Sequence, residues 1–128
     1  MKQWHIIYCD AKSKVCPITD FLDTLALKHQ VKTIRFLKLL EEMGPSLPRP
    51  YADILRDGIH ELRISLSGEP VRILYFFYYE FYIILYHVLR KHTDRVPEKD
   101  IEETRHYRQK FKNRVSPDYL EGLGYAFL

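Results

Sequence analysis

Residues 58–93 read GIHELRISLSGEPVRILYFFYYEFYIILYHVLRKHT and decide the fold, because they contain three consecutive strand patterns. In Ile59–Leu66, apolar residues alternate with polar ones, which is typical of a strand with one buried face. Residues 67–69 form a short turn whose glycine accepts a positive φ, so residues 70–79 are expected to return as an antiparallel strand. Residues 81–89 have almost no polar position, which indicates a central strand covered on both faces.

Basic residues stand within and just after these strand patterns, where core residues are expected. Histidines accompany them, and the full set is Arg63, Arg72, Arg90, Lys91, His60, His87 and His92. An unpaired cation among buried apolar side chains costs free energy, so an arginine in such a strand needs a carboxylate partner or an anionic ligand. Arginine within strands that otherwise resemble core strands is therefore the first indication of a functional site.

Shorter patterns upstream supply a strand and two helices. Residues 4–9 are the expected first strand, and Pro17 suits the first position of a helix. Apolar residues then recur at helical spacing as far as Gly44, which is a natural helix stop. Residues 17–43 form either one helix or two helices with a bend near residues 27–29, and we favour two.

Two weaker patterns flank the three strands. Residues 51–57 follow a proline-rich connection and are expected to make one helical turn. Pro97 begins a last helix, in which acidic residues come early and basic residues late, as the helix dipole favours.

The order β-α-α-β-β-β-α predicts an α+β fold, in which helices pack on one face of a mainly antiparallel four-stranded sheet and leave the other face available.

The composition is that of a globular chain. The 128 residues are 46% hydrophobic and 29% charged, which excludes a disordered chain and fits one domain with its own core. The net charge of +3 is too small to require a polyanionic partner, but residues 104–114 hold five cations and no acid. This patch is compatible with nucleic-acid binding, although from charge alone a solvated helix end is the simpler interpretation.

No secretion signal or membrane span is expected. The apolar N-terminal run is too short for a signal, and the longest apolar stretch, residues 71–89, is interrupted by Arg72 and Glu80. Cys9 and Cys16 have no spacing that suggests a disulfide framework or a metal cluster. A cytoplasmic protein without a cofactor is the default expectation.

The segment LRDGIHELRISLSGEPVRILYFF resembles the RelE/HigB superfamily of toxins of type II toxin–antitoxin systems, in particular its phage-derived, HigB-like branch. That branch has a leucine and a glycine before Glu-Leu-Arg, then an arginine that leads into an aliphatic-aromatic strand. A further strand ends in His and Lys-Lys-Thr, and a helix begins at a proline. These features occur here in the same order, at Leu55, Gly58, Glu61-Leu62-Arg63, Arg72-Ile73-Leu74-Tyr75, His87, Lys91-His92-Thr93 and Pro97. The resemblance spans roughly residues 4–112 and implies a RelE-like fold.

Two features depart from the family pattern. His92 stands where the second lysine is usual, which removes a fixed positive charge and adds a titratable group. The chain also continues past the usual domain, which we place at residues 1–114. Residues 115–128 are therefore treated as a C-terminal extension.

The resemblance implies an endoribonuclease that cuts messenger RNA on the translating ribosome without a metal ion. In such cleavage the 2′-OH is deprotonated and attacks the adjacent phosphorus, and the transition state gains negative charge that rigidly held cations stabilise. The implied partner is a small antitoxin, with a DNA-binding helix-turn-helix, that covers the basic face or holds the toxin away from the ribosome.

Arg63 and Arg72 are the first candidates for stabilising that charge, since one guanidinium can donate to two phosphate oxygens. Each residue has an alternative interpretation. Arg63 could face solvent and pair with Glu61 or Glu69, and Arg72 could pair with Glu61.

Lys91 and His92 complete the candidate catalytic set. Lys91 is expected to bind a backbone phosphate, and its charge favours the neutral, base-competent form of the adjacent His92. An ordinary strand-end lysine and an uninvolved surface histidine are the alternatives. The candidate RNA-binding residues are Arg90, Arg105, Tyr107 and Arg108, of which Tyr107 either stacks on a base or packs in the core.

The histidines do not predict a metal site. His60 and His87 are interpreted as core or supporting residues on strand faces. No two histidines form an i,i+4 helical pair, and no carboxylate motif accompanies them.

Two other functions stay open. A toxin of the same fold that binds DNA gyrase is compatible with the absence of a certain general base, and a non-toxic, phage-derived binding module is compatible with the fold alone. The cleavage hypothesis requires Arg63 and Arg72 to converge on one open surface. Arginines locked in internal carboxylate pairs with no cleft between them would contradict it.

Overall fold

A computed structural model describes residues 4–8, 17–79, 81–90 and 95–122, and it has the α+β fold that the sequence predicts. The elements in these ranges are β1 (His5–Ile7), α1 (Pro17–Asp23), α2 (Leu27–Met43), β2 (Ala52–Arg56), β3 (Ile59–Leu66), β4 (Glu69–Tyr78), β5 (Tyr82–Leu89), α3 (Glu98–Arg114) and α4 (Pro117–Gly122). A 3₁₀ turn at Gly44–Ser46 follows α2. None of the described helices combines the length and the apolar character that crossing a bilayer requires.

The sheet is mixed and has five strands, in the order β1-β5-β4-β3-β2. β1 runs parallel to β5, with His5 opposite Tyr82, and the three other strand pairs are antiparallel. The expectation of a mainly antiparallel sheet with four strands is corrected, because it did not include β2. β5 lies between β1 and β4, which confirms that residues 81–89 hold the central position expected from their apolar character.

β2 replaces the helical turn expected at residues 51–57. It forms a hairpin with β3, in which Asp53 stands opposite Glu61. Asp57 and Gly58 join the two strands with φ angles of 53° and 77°. An Asp-Gly pair is the usual sequence of a two-residue hairpin turn, because both positions need a positive φ. This local signal outweighs the helical interpretation of the residues before it.

The region between β1 and β2 contains two helices, as predicted. α1 ends at Asp23 and α2 begins at Leu27, and α2 ends at Met43. Gly44 then adopts a φ of 53°, and a Cβ atom at this position would lie 2.5 Å from the indole ring of Trp4. A glycine is required here by the backbone conformation and by the close approach of the chain before β1.

One face of the sheet packs against α1 and α2. Leu62 of β3 and Ile73 of β4 belong to the same buried cluster as Leu37 and Leu40 of α2. Of the periodic apolar residues of α2, Leu37 and Leu40 therefore face the sheet, whereas Val31 and Ile34 are 46% and 41% exposed.

The opposite face is covered as well, so the expectation of an available face is wrong. Ile59 of β3 shares a second buried cluster with Ile101 and Phe111 of α3. Val115 and Leu120, which follow α3, are 2% and 3% exposed in this cluster. The second core forms because β4 and β5 carry apolar side chains on both faces, and each face must be shielded from water.

Candidate nucleic-acid interface

Arg63 and Arg72 are direct neighbours across the sheet. They stand opposite each other in the register of β3 and β4, so their side chains lie on the same face. Ile59 and Leu74 are an even number of residues away from Arg63 and Arg72 on the same strands, so they lie on the same face as the arginines. Both belong to the core under α3. The arginine pair therefore lies on the α3 side of the sheet, and the structure brings the two predicted residues together.

Glu61 contacts both arginines and is only 3% exposed. Its Oε2 lies 2.9 Å from Arg63 Nη2 and accepts a hydrogen bond of 3.0 Å from Arg63 Nε. Its Oε1 lies 3.2 Å from Arg72 Nε, an ion-pair distance without the alignment of a hydrogen bond. Pairing with Glu61, which the sequence left open as an alternative for each arginine, is therefore present.

Asp53 extends these ion pairs onto β2. Its Oδ2 lies 3.2 Å from Arg63 Nη2 and 3.1 Å from Arg49 Nε. Burial alone would raise the pKa of Asp53, but hydrogen bonds from Arg49 and from the Ile54 backbone, with the charges of both arginines, lower it. The resulting group has three cations against two carboxylates and keeps one positive charge in excess. We call it the arginine cluster: Arg49, Asp53, Glu61, Arg63 and Arg72.

An open cleft borders the arginine cluster at the edge of the sheet. The backbone pairing between β2 and β3 ends at the hydrogen bond that the Arg63 N–H donates to the Tyr51 carbonyl at 2.8 Å. Among the described strands, none pairs with residues 64–66 on that side. A cleft of about 370 Å³ follows this unpaired strand edge, and we call it the edge cleft. Its lining residues are Lys32, Phe36, Pro50, Tyr51, Arg63, Ile64, Ser65, Gly68, Pro70, Val71 and Arg72.

The edge cleft combines positive charge with aromatic surface. The charged residues among those that line it are all basic, namely Lys32, Arg63 and Arg72. Lys32 Nζ donates to the Ser65 carbonyl and lies 5.8 Å from the centroid of the Phe36 ring. Phe36 and Tyr51 form an edge-to-face pair with centroids 5.7 Å apart. Cations beside aromatic rings in one groove are typical of binding sites for single-stranded nucleic acid.

Lys32, Phe36 and Tyr51 are site residues that the sequence did not predict. They belong to α2 and to the segment before β2, and only tertiary packing brings them beside β3 and β4. The available signal was the row of basic residues among the apolar positions of α2, which by itself also describes an ordinary solvated face.

Arg90 follows β5 and pairs with Glu69, the first residue of β4, at 2.8 Å. Leu89 stands opposite Arg72, so Arg90 lies at the same end of the strand pair as the arginine cluster. The candidate catalytic residues Lys91 and His92 come next in the sequence and lie outside the described residues.

Arg105 and Arg108 contact a different part of the molecule. Arg108 Nη1 donates to the Asp57 carbonyl at 2.5 Å, and Arg105 Nη1 lies 3.9 Å from Asp57 Oδ2. Asp57 belongs to the turn that precedes Ile59, and Arg63 is roughly 13 Å further along β3 at the usual rise of a strand. These two candidate RNA-binding residues therefore form a group separate from the edge cleft.

Tyr107 packs against the sheet. Its ring stacks on that of Tyr86, with centroids 4.1 Å apart and planes inclined by 13°. It borders the second core, and Arg114 Cζ lies 6.0 Å from its centroid. One face of the Tyr107 ring is therefore already used within the protein.

A further polar group lies on the α3 side of the sheet. His87 Nε2 is 2.9 Å from Asp100 Oδ1, and Glu103 offers a third potential ligand atom beside them. Among the residues that the structure describes, this is the group whose geometry could hold a metal ion. The sequence did not predict this group, because His87 belongs to a strand and the two acids belong to a helix.

Comparison with known proteins adds a family to this geometry. Residues 20–109 match the profile of a family described as phage derived protein Gp49-like (DUF891). The matched span includes every residue that lines the edge cleft and most of α3. No curated protein matches the chain.

Proposed function

We propose that this chain, which belongs to the phage-derived Gp49-like family, is the toxin of a type II toxin–antitoxin system. The family is associated with such systems. The activity that we assign to it is metal-independent cleavage of messenger RNA on the ribosome, as the resemblance to RelE/HigB toxins implies. One observation carries this proposal: Arg63 and Arg72 stand side by side on paired strands at an open, basic and aromatic cleft.

The edge cleft suits a single RNA strand better than a duplex. Its volume of about 370 Å³ is that of a pocket for one or two nucleotides, and its opening follows a strand edge. Phe36 and Tyr51 offer ring surface for an unstacked base, while Lys32 supplies a cation beside it. We expect the ribosome to present the message in this extended form.

In the proposed reaction the 2′-oxygen loses its proton to a base and forms a bond to the adjacent phosphorus. The bond from phosphorus to the 5′-oxygen breaks, and that oxygen takes up a proton, so the products are a 2′,3′-cyclic phosphate and a 5′-hydroxyl. Arg63 and Arg72 donate to the non-bridging oxygens, whose negative charge increases in the transition state. His92 is the proposed base, and Lys91 is proposed to bind a neighbouring phosphate.

Glu61 holds the arginines without consuming all of their donors. A guanidinium has five N–H groups, and Arg63 uses Nε and Nη2 for its carboxylate partners. The Arg63 side chain is 38% exposed, whereas that of Arg72 is 13% exposed. Arg63 is therefore the better placed of the two to meet a phosphate first, with Arg72 behind it.

Induction in a bacterial host tests the proposal, with growth and mapped cuts in messages as the readouts. The wild-type chain should arrest growth and cut messages. Arg63→Lys/Arg72→Lys keeps both charges beside Glu61 but removes the planar fork, so cleavage should fall by about 10²-fold. Arg35→Lys/Arg95→Lys makes the same chemical change at two exposed arginines outside the edge cleft and should cut like wild type.

A second variant avoids the arginine cluster and therefore its contribution to folding. Lys32→Ala/Tyr51→Ala removes a cation and an aromatic ring from the edge cleft and should also reduce cutting. Wild-type cleavage by both this variant and Arg63→Lys/Arg72→Lys would refute the assignment of the site.

A toxin that binds DNA gyrase is the second candidate, and the pairing of both arginines with Glu61 favours it. Growth arrest with intact messages and trapped gyrase–DNA breaks would support this function over RNA cleavage. Harmless expression in the absence of any antitoxin would instead support a non-toxic binding module.

The proposed partner is a small antitoxin that carries a helix-turn-helix. Its expected action is to cover the basic surface or to keep the toxin from the ribosome. Co-expression with the product of an adjacent short gene should restore growth if that product is the antitoxin.

A further inference from the structure

His87, Asp100 and Glu103 bring three potential metal ligands together from β5 and α3. His87 Nε2 and Asp100 Oδ1 are 2.9 Å apart, and one ligand atom from each of the three residues lies within 4.8 Å of the others. Asp100 and Glu103 are three residues apart on α3, so they project from the same side of the helix. The imidazole approaches them from the sheet.

The buried member of this group has an unsatisfied oxygen. Asp100 is 5% exposed, and its Oδ2 has no hydrogen-bond partner. Leaving a buried carboxylate oxygen without a partner costs free energy, so such an atom indicates a missing donor or cation. His87 satisfies Oδ1 and leaves Oδ2 available.

The charges at this position point to a cation. Glu103 forms no ion pair with any residue in the described ranges, and the ion pair of Asp100 there is with His87 alone. Two neighbouring negative charges repel each other unless a cation lies between them. Glu103 and Glu102 are adjacent in sequence, yet Glu102 differs because it pairs with Arg56 and Arg105.

The ligand types narrow the choice of ion. Imidazole with carboxylates suits Zn²⁺, and three protein ligands leave a coordination position open for water. Ligand atoms about 2.0–2.2 Å from a tetrahedral zinc lie roughly 3.4 Å from one another. The separations found here, 2.9 Å and up to 4.8 Å, bracket that value, so small side-chain rotations would complete the geometry.

We propose that His87, Asp100 and Glu103 bind one divalent transition-metal ion, with Zn²⁺ as the preferred ion. The ion would fasten the first turns of α3 to β5. The site adjoins the arginine cluster, because His87 stands opposite Leu74, two residues from Arg72 on β4. The inference does not depend on the proposed RNA cleavage, in which no metal takes part.

Isothermal titration calorimetry of the metal-stripped full chain with Zn²⁺ tests this site. One ion should bind per chain, and saturating Zn²⁺ should raise the midpoint of thermal unfolding, because the native state alone holds the three ligands together. Mg²⁺ should bind much more weakly, since it prefers oxygen ligands and retains its water.

Two matched variants separate this site from unspecific binding. Glu103→Gln removes an exposed ligand and should weaken Zn²⁺ binding by at least about 10-fold. Glu102→Gln makes the same change one residue away and should bind Zn²⁺ like wild type. His87→Gln should match Glu103→Gln.

Three results would overturn the proposal. The first is absence of stoichiometric Zn²⁺ binding by the wild-type chain at micromolar concentrations. The second is equal affinity in wild type, Glu103→Gln and His87→Gln. The third is loss of binding in Cys9→Ser/Cys16→Ser with retention in Glu103→Gln, which would assign the ion to the thiols.

Discussion

At the scale of single residues, Glu61 determines the geometry of the arginine pair. Arg63 and Arg72 stand directly opposite each other, and two like charges in that position repel. The Glu61 carboxylate lies between them and contacts both. Its burial removes competing water, so the ion pairs are stronger than they would be at the surface.

Glu61→Gln should therefore destabilise the protein by about 3–5 kcal/mol, because it leaves two neighbouring guanidinium groups without their buried counter-charge. Urea unfolding at pH 7 measures the loss. Glu69→Gln is the matched control, because the Glu69 side chain is 30% exposed in its pair with Arg90. Exposed pairs contribute less than about 1 kcal/mol. Equal effects of the two substitutions would show that Glu61 is not a buried counter-charge.

His60 is a second residue whose environment makes a testable difference. Its ring stacks on Tyr75 with centroids 5.2 Å apart and meets Phe77 edge to face at 5.0 Å. Burial lowers the pKa of His60 below its ordinary value of 6.5, against an opposing effect of the Asp53 charge. The folded state therefore favours the neutral imidazole.

The lowered pKa predicts a loss of stability in acid. Below pH 6.5 the unfolded chain takes up a proton at this histidine before the folded chain does, so the free energy of unfolding falls until the pH drops below the folded-state pKa. Above pH 6.5 the contribution is constant. Urea unfolding between pH 8 and pH 5 should show a smaller decrease for His60→Gln than for wild type. His106→Gln, at an exposed histidine, is the control, and equal slopes for wild type and His60→Gln would contradict the prediction.

At the scale of elements, the end of α2 is fixed by contact with the chain that enters β1. Gly44 has a φ of 53°, and an added Cβ would lie 2.5 Å from the Trp4 indole. Gly68, in the turn between β3 and β4, has a φ of 88° and no atom within 4 Å of an added Cβ. The two glycines therefore share backbone strain but differ in available space.

Gly44→Ala should cost more stability than Gly68→Ala. The positive φ costs an alanine about 1–3 kcal/mol at either position, and overpacking adds about 1–3 kcal/mol at Gly44. Trp4 is the single tryptophan, so its fluorescence reports the displaced ring directly. Equal unfolding free energies for the two variants, with unchanged fluorescence, would show that Trp4 does not pack on Gly44.

The edge cleft is also a consequence of element lengths. β2 spans Ala52–Arg56, whereas β3 spans Ile59–Leu66, so the far end of β3 extends beyond its partner. Lys32 from α2 caps one carbonyl of this extension at Ser65. A strand edge that is short and capped by a lysine resists pairing with other chains, and this leaves the cleft open for a ligand.

At the scale of the whole molecule, the two cores on opposite faces make the segment after α3 part of the domain. Val115 and Leu120 are buried in the second core, and the Tyr78 hydroxyl donates to the Val115 carbonyl at 2.5 Å. The family match ends at residue 109, before this segment.

A chain that ends at Arg114 should therefore be less stable by about 3–6 kcal/mol, from the loss of two buried aliphatic side chains. A chain that ends at Gly122 keeps both of them and serves as the control. Thermal unfolding followed by circular dichroism compares the two. Equal midpoints for both truncated chains would show that residues 115–122 do not contribute to the core.

Local patterns allowed much of the fold to be predicted. The alternation in Ile59–Leu66 and the apolar run at residues 81–89 depend only on neighbouring residues, and both became strands. The helical turn expected at residues 51–57 was also inferred from a local pattern, and it is wrong. The Asp57-Gly58 pair is the stronger local signal, and it predicts a hairpin with a strand before it. Arginines within core-like strands predicted a candidate site on these strands, and the structure places Arg63 opposite Arg72.

What the sequence determined by itself was the α+β class, the three strands within residues 58–93 and the helices before and after them, since these depend on short-range periodicity. Only the tertiary structure decided that β1 joins the sheet beside β5, that one buried carboxylate serves Arg63 and Arg72, and that His87 meets Asp100 and Glu103. Such contacts join residues far apart in the chain, and they form where chain closure and packing bring two surfaces together. Periodicity along the chain does not indicate which of these distant residues will contact each other.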